Sequence, residues 1–350
     1  MSAHDQRQPM NTPPPAVAML QLIEGFWVSR ALYIVAKLGI ADLLGDGPKD
    51  SKELGKATGT YAPSLYRVLR ALTSVGVFTE EEQGRFALTP LAATLRTGVP
   101  GSLRDWAVMQ LGEEHYQAWG AVMHSVQTGE MAFDHVFGMG VWQYRAQHPD
   151  HAKTFDAAMA NFVGTINKTV LTSYDFSPFG LVVDVGGGDG SLLAALLQVH
   201  PGMRGVLFDL PHVAEGAKKR LAAAGLAERC EVVAGDVFAS VPDGGDAYVL
   251  SRVIHDWEDI SALAILKNCH HVMTPKGKLL LIERVLPSRV ESSGAHQALV
   301  LTDLNMMVMN GGRERTATEY TALLEAAAFR LIQIIPTQSA MSVIEAVRVG

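Results

Sequence analysis

The glycine-rich run Asp184-Val185-Gly186-Gly187-Gly188-Asp189-Gly190 is the first segment whose residue types suit a ligand. Glycines let the chain turn sharply and bring backbone close to a bound molecule. A dinucleotide fingerprint would continue with a further glycine, where this chain has Ser191. A tight turn without a ligand is the alternative. Asp209 lies 23 residues after Gly186, in Phe208-Asp209-Leu210. A carboxylate at that distance can accept hydrogen bonds from both hydroxyls of a ribose. The competing reading is a helix cap before Pro211. In Gly235-Asp236-Val237-Phe238, Asp236 can accept from an adenine amino group while Val237 and Phe238 cover the ring, or Asp236 is an ordinary turn residue. These features indicate a nucleoside rather than one particular cofactor. His255, in Arg252-Val253-Ile254-His255-Asp256-Trp257, is the residue best suited to moving a proton near neutral pH. One histidine among 12 is more often structural, and only its place at a sheet edge argues otherwise.

That edge follows from the elements. From Leu181 onward strands alternate with helices: Leu181–Val185, Gly205–Phe208, Cys230–Ala234, Ala247–Leu250 and Lys278–Ile282 are the expected strands. Such alternation predicts a parallel, doubly wound α/β sheet of Rossmann-like type, with ligands at the carboxyl ends of its strands. The glycine run, Asp209, Asp236 and His255 all follow strands in this reading. Two apolar runs near the end, Leu331–Ile335 and Met341–Val347, are separated by Pro336-Thr337 and suit an antiparallel edge pair.

The front of the chain differs. Val17 to Leu38 reads as a helix apolar over more than half its circumference, which predicts burial, against another subunit if not within its own domain. Ser51-Lys52-Glu53-Leu54 opens a short helix ended by Gly59. Pro63 opens a second, with Leu65, Val68, Leu69 and Leu72 on one face and Gly76 as its stop. Val77–Thr79 and Phe86–Thr89 flank a turn from Glu81 to Arg85 and form a hairpin. Helices followed by a hairpin make a winged-helix-like pattern. Glu80, Glu81 and Glu82 on the wing would repel a phosphate backbone, so dimerisation or substrate covering suits this region better than DNA binding. Residues 100–178 read as mainly helical and rich in aromatics, among them Trp106, Trp119, Phe133, Trp142 and Phe162. The expected divisions are a disordered tail at 1–16, a winged-helix-like dimerisation domain at 17–100, a helical linker and substrate-pocket region at 101–178, and a nucleoside-binding domain at 179–350.

Composition narrows the function. The chain has 350 residues, 48% hydrophobic and 19% charged, with net charge -7, so it can fill sizeable cores and repels nucleic acid. Its two cysteines, Cys230 and Cys269, offer neither a disulfide framework nor a zinc signature, which suits a cytoplasmic protein. Met1 to Pro15 has no basic region followed by an apolar one and does not read as a signal peptide. Glu24, Arg30 and Lys37 interrupt the first helix and argue against a membrane span. His148, Asp150 and His151 follow no established ligand spacing and read as a solvated loop around the helix-starting Pro149, so no metal is expected.

The motifs in this order resemble the plant-type small-molecule O-methyltransferases, such as the caffeate and isoflavone enzymes, and their bacterial relatives acting on polyketides and phenazines. The resemblance rests on Leu181–Gly190, Phe208–Val213, Gly235–Phe238, Ser251–Trp257, Leu281–Pro287 and Gly311–Thr316. It also includes Arg67-Val68-Leu69-Arg70-Ala71-Leu72 and Leu88-Thr89-Pro90, and it covers about residues 17–347. It implies a class I methyltransferase domain, S-adenosylmethionine (SAM) as cofactor, and a homodimer. Gly186, Asp209, Asp236, Val237 and Ser251 take the cofactor positions by this resemblance, with Phe238 over the adenine. Ser251 stands where plant members have lysine, and Arg252 adjoins it. His255 takes the place of the general base, Glu283 and Glu314 those of two carboxylates beside it, and Asp256, Met306 and Asn310 those of substrate contacts. Met306, Met307 and Met309 either clamp a flat ring or simply fill the core. Before its double glycine this chain has Met309-Asn310 where the family usually has Asn-Pro. The implied reaction is metal-independent methylation of a hydroxyl on a small aromatic or polyketide-like molecule. The alternatives are N-methylation, decarboxylation or hydroxylation with SAM as a bystander, and a SAM-sensing winged-helix regulator.

Overall fold

A computed structural model describes residues 13–349, apart from the side chains of 160–163 and 165. Most of the expected disordered tail and the side chain of Phe162 lie outside the described residues. Pro15 and Ala16, expected in the tail, already belong to the first helix. The chain divides into two compact units, one ending at Gly112 and one beginning at Glu113.

In the first unit, Pro15–Lys37 is a 23-residue helix opened by proline. Only Val35 and Ala36 of it are fully buried. Leu22, Ile23 and Trp27 are 72%, 63% and 65% exposed, so the unit does not itself cover the apolar face of this helix. By length and hydropathy alone the helix also suits a membrane, contrary to the reading from its charges, but its last turns are built into the unit's core. The helix Ser51–Thr58 is capped by Asp50 rather than from within Ser51–Leu54. Asp50 accepts from the N–H groups of Lys52 and Glu53, and Glu53 accepts from the N–H of Asp50, a reciprocal box. Ala62–Ser74 buries Leu65, Leu69 and Leu72. A three-stranded sheet covers this core: β1 (Lys49–Asp50), β2 (Phe78–Glu81) and β3 (Arg85–Leu88), in the order β1-β3-β2. The hairpin is as expected, while the two-residue β1 is too short to leave a sequence signal. The unit runs past residue 100 because the helix Arg104–Gln110 packs on the first helix, with Arg104 Nε donating to the carbonyl of Ala36 at 3.0 Å.

The second unit begins with helices, of which Pro149–Ser173 is the longest at 25 residues. Its sheet comprises β4 (Leu181–Val185), β5 (Arg204–Asp209), β6 (Cys230–Ala234), β7 (Ala247–Ser251) and β8 (Lys278–Glu283), all parallel. A separate two-stranded ladder pairs β9 (Val285–Leu286) with β10 (Arg315–Thr316) in parallel. β11 (Phe329–Pro336) and β12 (Ser342–Arg348) complete a seven-stranded sheet in the order β11-β12-β8-β7-β4-β5-β6. β12 runs antiparallel between β11 and β8, so the expected edge pair is present and the sheet is mixed. The strands β4, β7 and β8 are apolar almost throughout, as expected for strands covered on both faces. Two hydrophobic clusters fill the two faces, one around Leu193, Leu207 and Ile282, the other around Tyr248, Ile265 and Leu281. Crossing from β4 to β5, and separately to β7, leaves a crevice at the carboxyl ends of the strands.

Candidate active site

The glycine run turns the chain out of β4 with Gly186, Gly188 and Gly190 all at positive φ. At Gly186 a Cβ would meet Val253 Cγ2 at 2.8 Å, so the turn must lie close to the segment after β7. At Gly188 a Cβ would meet nothing within 4 Å, which leaves an open cradle above the backbone. Asp209, at the end of β5, accepts from Gly188 N with one oxygen (2.8 Å) and from Leu210 N with the other (2.7 Å). It does not cap the helix Pro211–Ala223, whose N-cap is Leu210 without a side-chain bond. Asp236 is exposed and accepts from Phe238 N at 2.9 Å, an aspartate turn that uses only Oδ1. Phe238 is 39% exposed and stands edge-on to Trp257, and Asn268 donates to the carbonyl of Val237 at 2.7 Å. Beneath the glycine turn, both carboxylate oxygens of Asp184 are buried with no hydrogen-bond partner. Burial pushes Asp184 up to about 7, helped by Asp209 and Asp189. An open cradle, ribose-type acceptors and an exposed ring beside them fit the nucleoside and amino-acid halves of SAM. Ser251 ends β7, and Arg252 follows it with a left-handed φ of 56°.

Past Arg252 the chain makes a single turn, Ile254–Asp256, which carries His255. A short turn leaves its N–H and C=O groups without helical partners, so something else must hold them. Glu283 Oε1, from the end of β8, accepts from the backbone N–H groups of Val253 (3.0 Å), Ile254 (2.8 Å) and His255 (3.4 Å). Arg315, with no exposed surface, donates to the carbonyls of Ile254 (3.1 Å) and Trp257 (2.9 Å) and is held by Asp259. Arg313 N donates to the carbonyl of His255 at 2.9 Å. Gly312 lies so close that a Cβ there would come within 2.0 Å of that carbonyl oxygen.

The His255 ring is held by a different carboxylate. Nδ1 bonds Glu314 Oε1 at 3.0 Å, while Glu283 Oε2 is 3.9 Å away. Glu283 therefore hydrogen-bonds the backbone of the turn and acts on the imidazole through its charge rather than through a bond to Nδ1. Burial draws His255 toward the neutral form, but Glu283, Asp256 and Glu314 outweigh it and hold its pKa up at about 9. Burial pushes Glu283 up to about 7, against the pull of His255. Burial also pushes at Glu314, but its bond to His255 wins and keeps it below the usual carboxylate range. On the other side of the ring, Asp256 Oδ1 is 3.6 Å from Nε2 and accepts from Asn310 Nδ2 at 2.8 Å. Met306 is half-buried nearby in sequence, on the helix Gly294–Met309, which Trp119 ties through Asn305 at 3.0 Å. Met309 is instead 4% exposed in a cluster with Phe133 and Val308, so the three-methionine clamp loses that member to core packing.

His255, Glu283 and Glu314 offer ligand atoms within 4.8 Å of one another. Glu283 Oε1 is already engaged with backbone N–H groups and Glu314 Oε1 with Arg284 as well as His255, the pattern of a charged hydrogen-bond network. The sequence reading missed Arg284, Arg315 and Asp303, whose Oδ1 accepts from Glu314 N at 2.9 Å. Arg284 and Arg315 fall within stretches that carry the resemblance, but nothing in their types or spacing marks any of the three as a site residue, and only the folded chain brings them there. His148 and His151 do not sit in a solvated loop. His151 is in the first turn of the helix Pro149–Ser173 and bonds Glu114 at 2.9 Å, and His148 stacks on Tyr144.

The sheet order and the crevice residues together define a class I methyltransferase fold. A family model described as the O-methyltransferase domain matches residues 119–330, and one described as the O-methyltransferase dimerisation domain matches residues 20–98. The phenazine O-methyltransferase PhzM of Lysobacter antibioticus is 48% identical over 333 residues, 95% of this chain and 96% of the relative. The phenazine-1-carboxylate N-methyltransferase of Pseudomonas aeruginosa is 33% identical over 318 residues, 91% of this chain and 92% of the relative. The crystal structure of LaPhzM matches with a TM-score of 0.90 at 48% identity, covering 96% of this chain and 100% of that chain. The chain belongs to this O-methyltransferase family, a family of SAM-dependent enzymes acting on small biosynthetic molecules.

Replacing Arg315 with Met should destabilise the protein by about 2–5 kcal/mol, because at least two buried carbonyls lose their donor. Urea denaturation measures it; a loss below about 1 kcal/mol would show that the turn finds other partners.

Proposed function

We propose that the protein transfers the methyl group of SAM to a hydroxyl of a small aromatic acceptor, with His255 as general base. The observation that carries this reading is the 3.0 Å His255–Glu314 bond, which spends Nδ1 and leaves Nε2 with Asp256 as its nearest carboxylate. Gly186, Asp209, Asp236, Val237, Phe238, Ser251 and Arg252 would hold SAM. Bound SAM supplies an electrophilic methyl group on a cationic sulfur.

The chain's own residues then have separable tasks. Glu314 fixes the tautomer by accepting Nδ1–H and stabilises the imidazolium once formed. Glu283 and Arg315 hold the turn that aims the ring. Nε2 takes the acceptor's proton, and Asp256, Met306 and Asn310 orient the acceptor beside it. A phenol near pKa 10 is only about 0.1% ionised at pH 7, so a positioned base has work to do. A ring nitrogen with a free lone pair has no proton to lose, and the intact His255–Glu314 pair favours oxygen over such an acceptor. The exposed apolar face of the helix Pro15–Lys37 supports a homodimer formed through the first unit.

Turnover should rise with pH through about 9, since the protonated imidazole below that value cannot accept a proton. His255→Ala should lose about 10²–10⁴-fold in turnover, lack that step and keep its SAM affinity. Turnover unchanged at every pH would remove the base and point to a nitrogen acceptor. Asp209→Ala should weaken SAM binding by roughly 10–150-fold in calorimetry, and an unchanged affinity would take Asp209 out of the site. Light scattering should give twice the chain mass; a value near 37.7 kDa at micromolar concentration would rule out the dimer.

A further inference from the structure

Two cations converge on one oxygen. Glu314 Oε1 accepts from His255 Nδ1 at 3.0 Å and from Arg284 Nη1 at 3.1 Å. Its other oxygen, Oε2, is buried without a partner, so the two donors are not divided between the two oxygens. Arg284 is 7% exposed and directly follows Glu283, so the strand that clamps the turn also fixes the guanidinium. An arginine keeps its charge under all ordinary conditions. Glu314 therefore stabilises an imidazolium less than a carboxylate with one partner would, and the nearby guanidinium charge opposes protonation as well.

The remaining groups around the ring set the need for such a counterweight. Glu283 from β8, Asp256 from the turn itself and Glu314 from the segment before β10 are all acidic and all favour the imidazolium. Asp303, on the helix Gly294–Met309, bonds the Glu314 backbone and adds negative charge beside it. Tyr320, on the helix Ala317–Ala326, is buried near both glutamates and stays neutral. Arg315 serves Asp259 and backbone carbonyls, and Arg252 interacts with Glu283 and Asp256 from the β7 end without a carboxylate hydrogen bond among the described residues. Arg284 is the cation that shares an oxygen with the imidazole.

We propose that Arg284 is a positioning residue that lowers the proton affinity of His255 by sharing Glu314 Oε1. The catalytic consequence rests on His255 being the base: with Arg284 in place, a larger fraction of the imidazole is neutral at a given pH.

The test is an NMR titration of the full-length protein with ¹³C-labelled histidine rings, without acceptor, His255 being assigned by the signal lost in His255→Asn. In Arg284→Met the His255 midpoint should move up by about one pH unit, and Arg284→Lys should recover part of that difference. Arg284→Gln, which keeps a donor but no charge, carries the same expectation if the methionine variant does not fold. With Glu314→Gln in the background, the Arg284 substitution should shift the midpoint much less. A midpoint that stays or falls in the neutral variants overturns the proposal, since a merely structural arginine would leave it in place. If the midpoint moves while the pH dependence of turnover ignores it, Arg284 still tunes His255 and it is the base assignment that fails.

Discussion

One buried carboxylate oxygen, Glu283 Oε1, gathers three successive backbone N–H groups at the end of β7. The placement of His255, and with it the hydrogen-bond network around the ring, depends on that convergence. A strand that leaves its sheet and turns at once exposes donors that cannot reach water, and an unpaired buried donor costs on the order of 1–3 kcal/mol. Glu283 satisfies them from the neighbouring strand, so the geometry of the turn is inherited from the sheet itself. Arg315 does the converse for the carbonyls of the same turn. The imidazole is thus aimed by a frame of opposite charges on either side of its backbone, and its own hydrogen bond to Glu314 only finishes the orientation.

Much of this was legible in the sequence, for physical reasons. The second unit alternates strands and helices, and β4, β5, β6, β7 and β8 fall within a residue or so of their expected ends because apolar runs bounded by turn residues have few other places to go. The antiparallel pair β11–β12 was visible for the same reason, two apolar runs about a proline. The glycine turn and Asp209 stood out because each lies at the end of a strand, at the edge where such sheets bind ligands, and His255 stood out chiefly through the family resemblance. The distinct duties of Glu283 and Glu314 were not legible. Glu283 ends an apolar strand and Glu314 lies between two arginines, but neither setting shows its task, and only the distances, 3.9 Å against 3.0 Å from Nδ1, separate a backbone clamp from a ring partner. Arg284 and Arg315 lie in stretches that carry the resemblance, yet neither stood out, since an arginine next to a strand reads as surface until its burial is seen.

The first helix shows the limit of periodicity. Its apolar residues cover so much of its circumference that a buried position was the natural expectation, yet within one chain most of them face outward. Periodicity reports how much apolar surface a helix has to cover; it does not report which molecule covers it. The methionines show the same ambiguity at smaller scale. Met306 and Met309 lie one turn apart on a helix, and one is half-buried while the other fills a core with Phe133.

The position of β12 has a bearing on how the chain acquires its site. Glu314 lies 59 residues from His255, and β8, whose end supplies Glu283, is flanked on one side by β12, which the chain reaches only after Glu314. Until Ser342–Arg348 pairs with Lys278–Glu283, that side of β8 is an open edge with unpaired backbone. Contacts so distant in sequence form slowly because loop closure precedes their reward. On the ribosome β4, β5 and β6 can pair with one another before β7 and β8 have been made. The frame around His255 needs Glu283, Glu314 and β12 together, so it can close only once those distant segments have all been made.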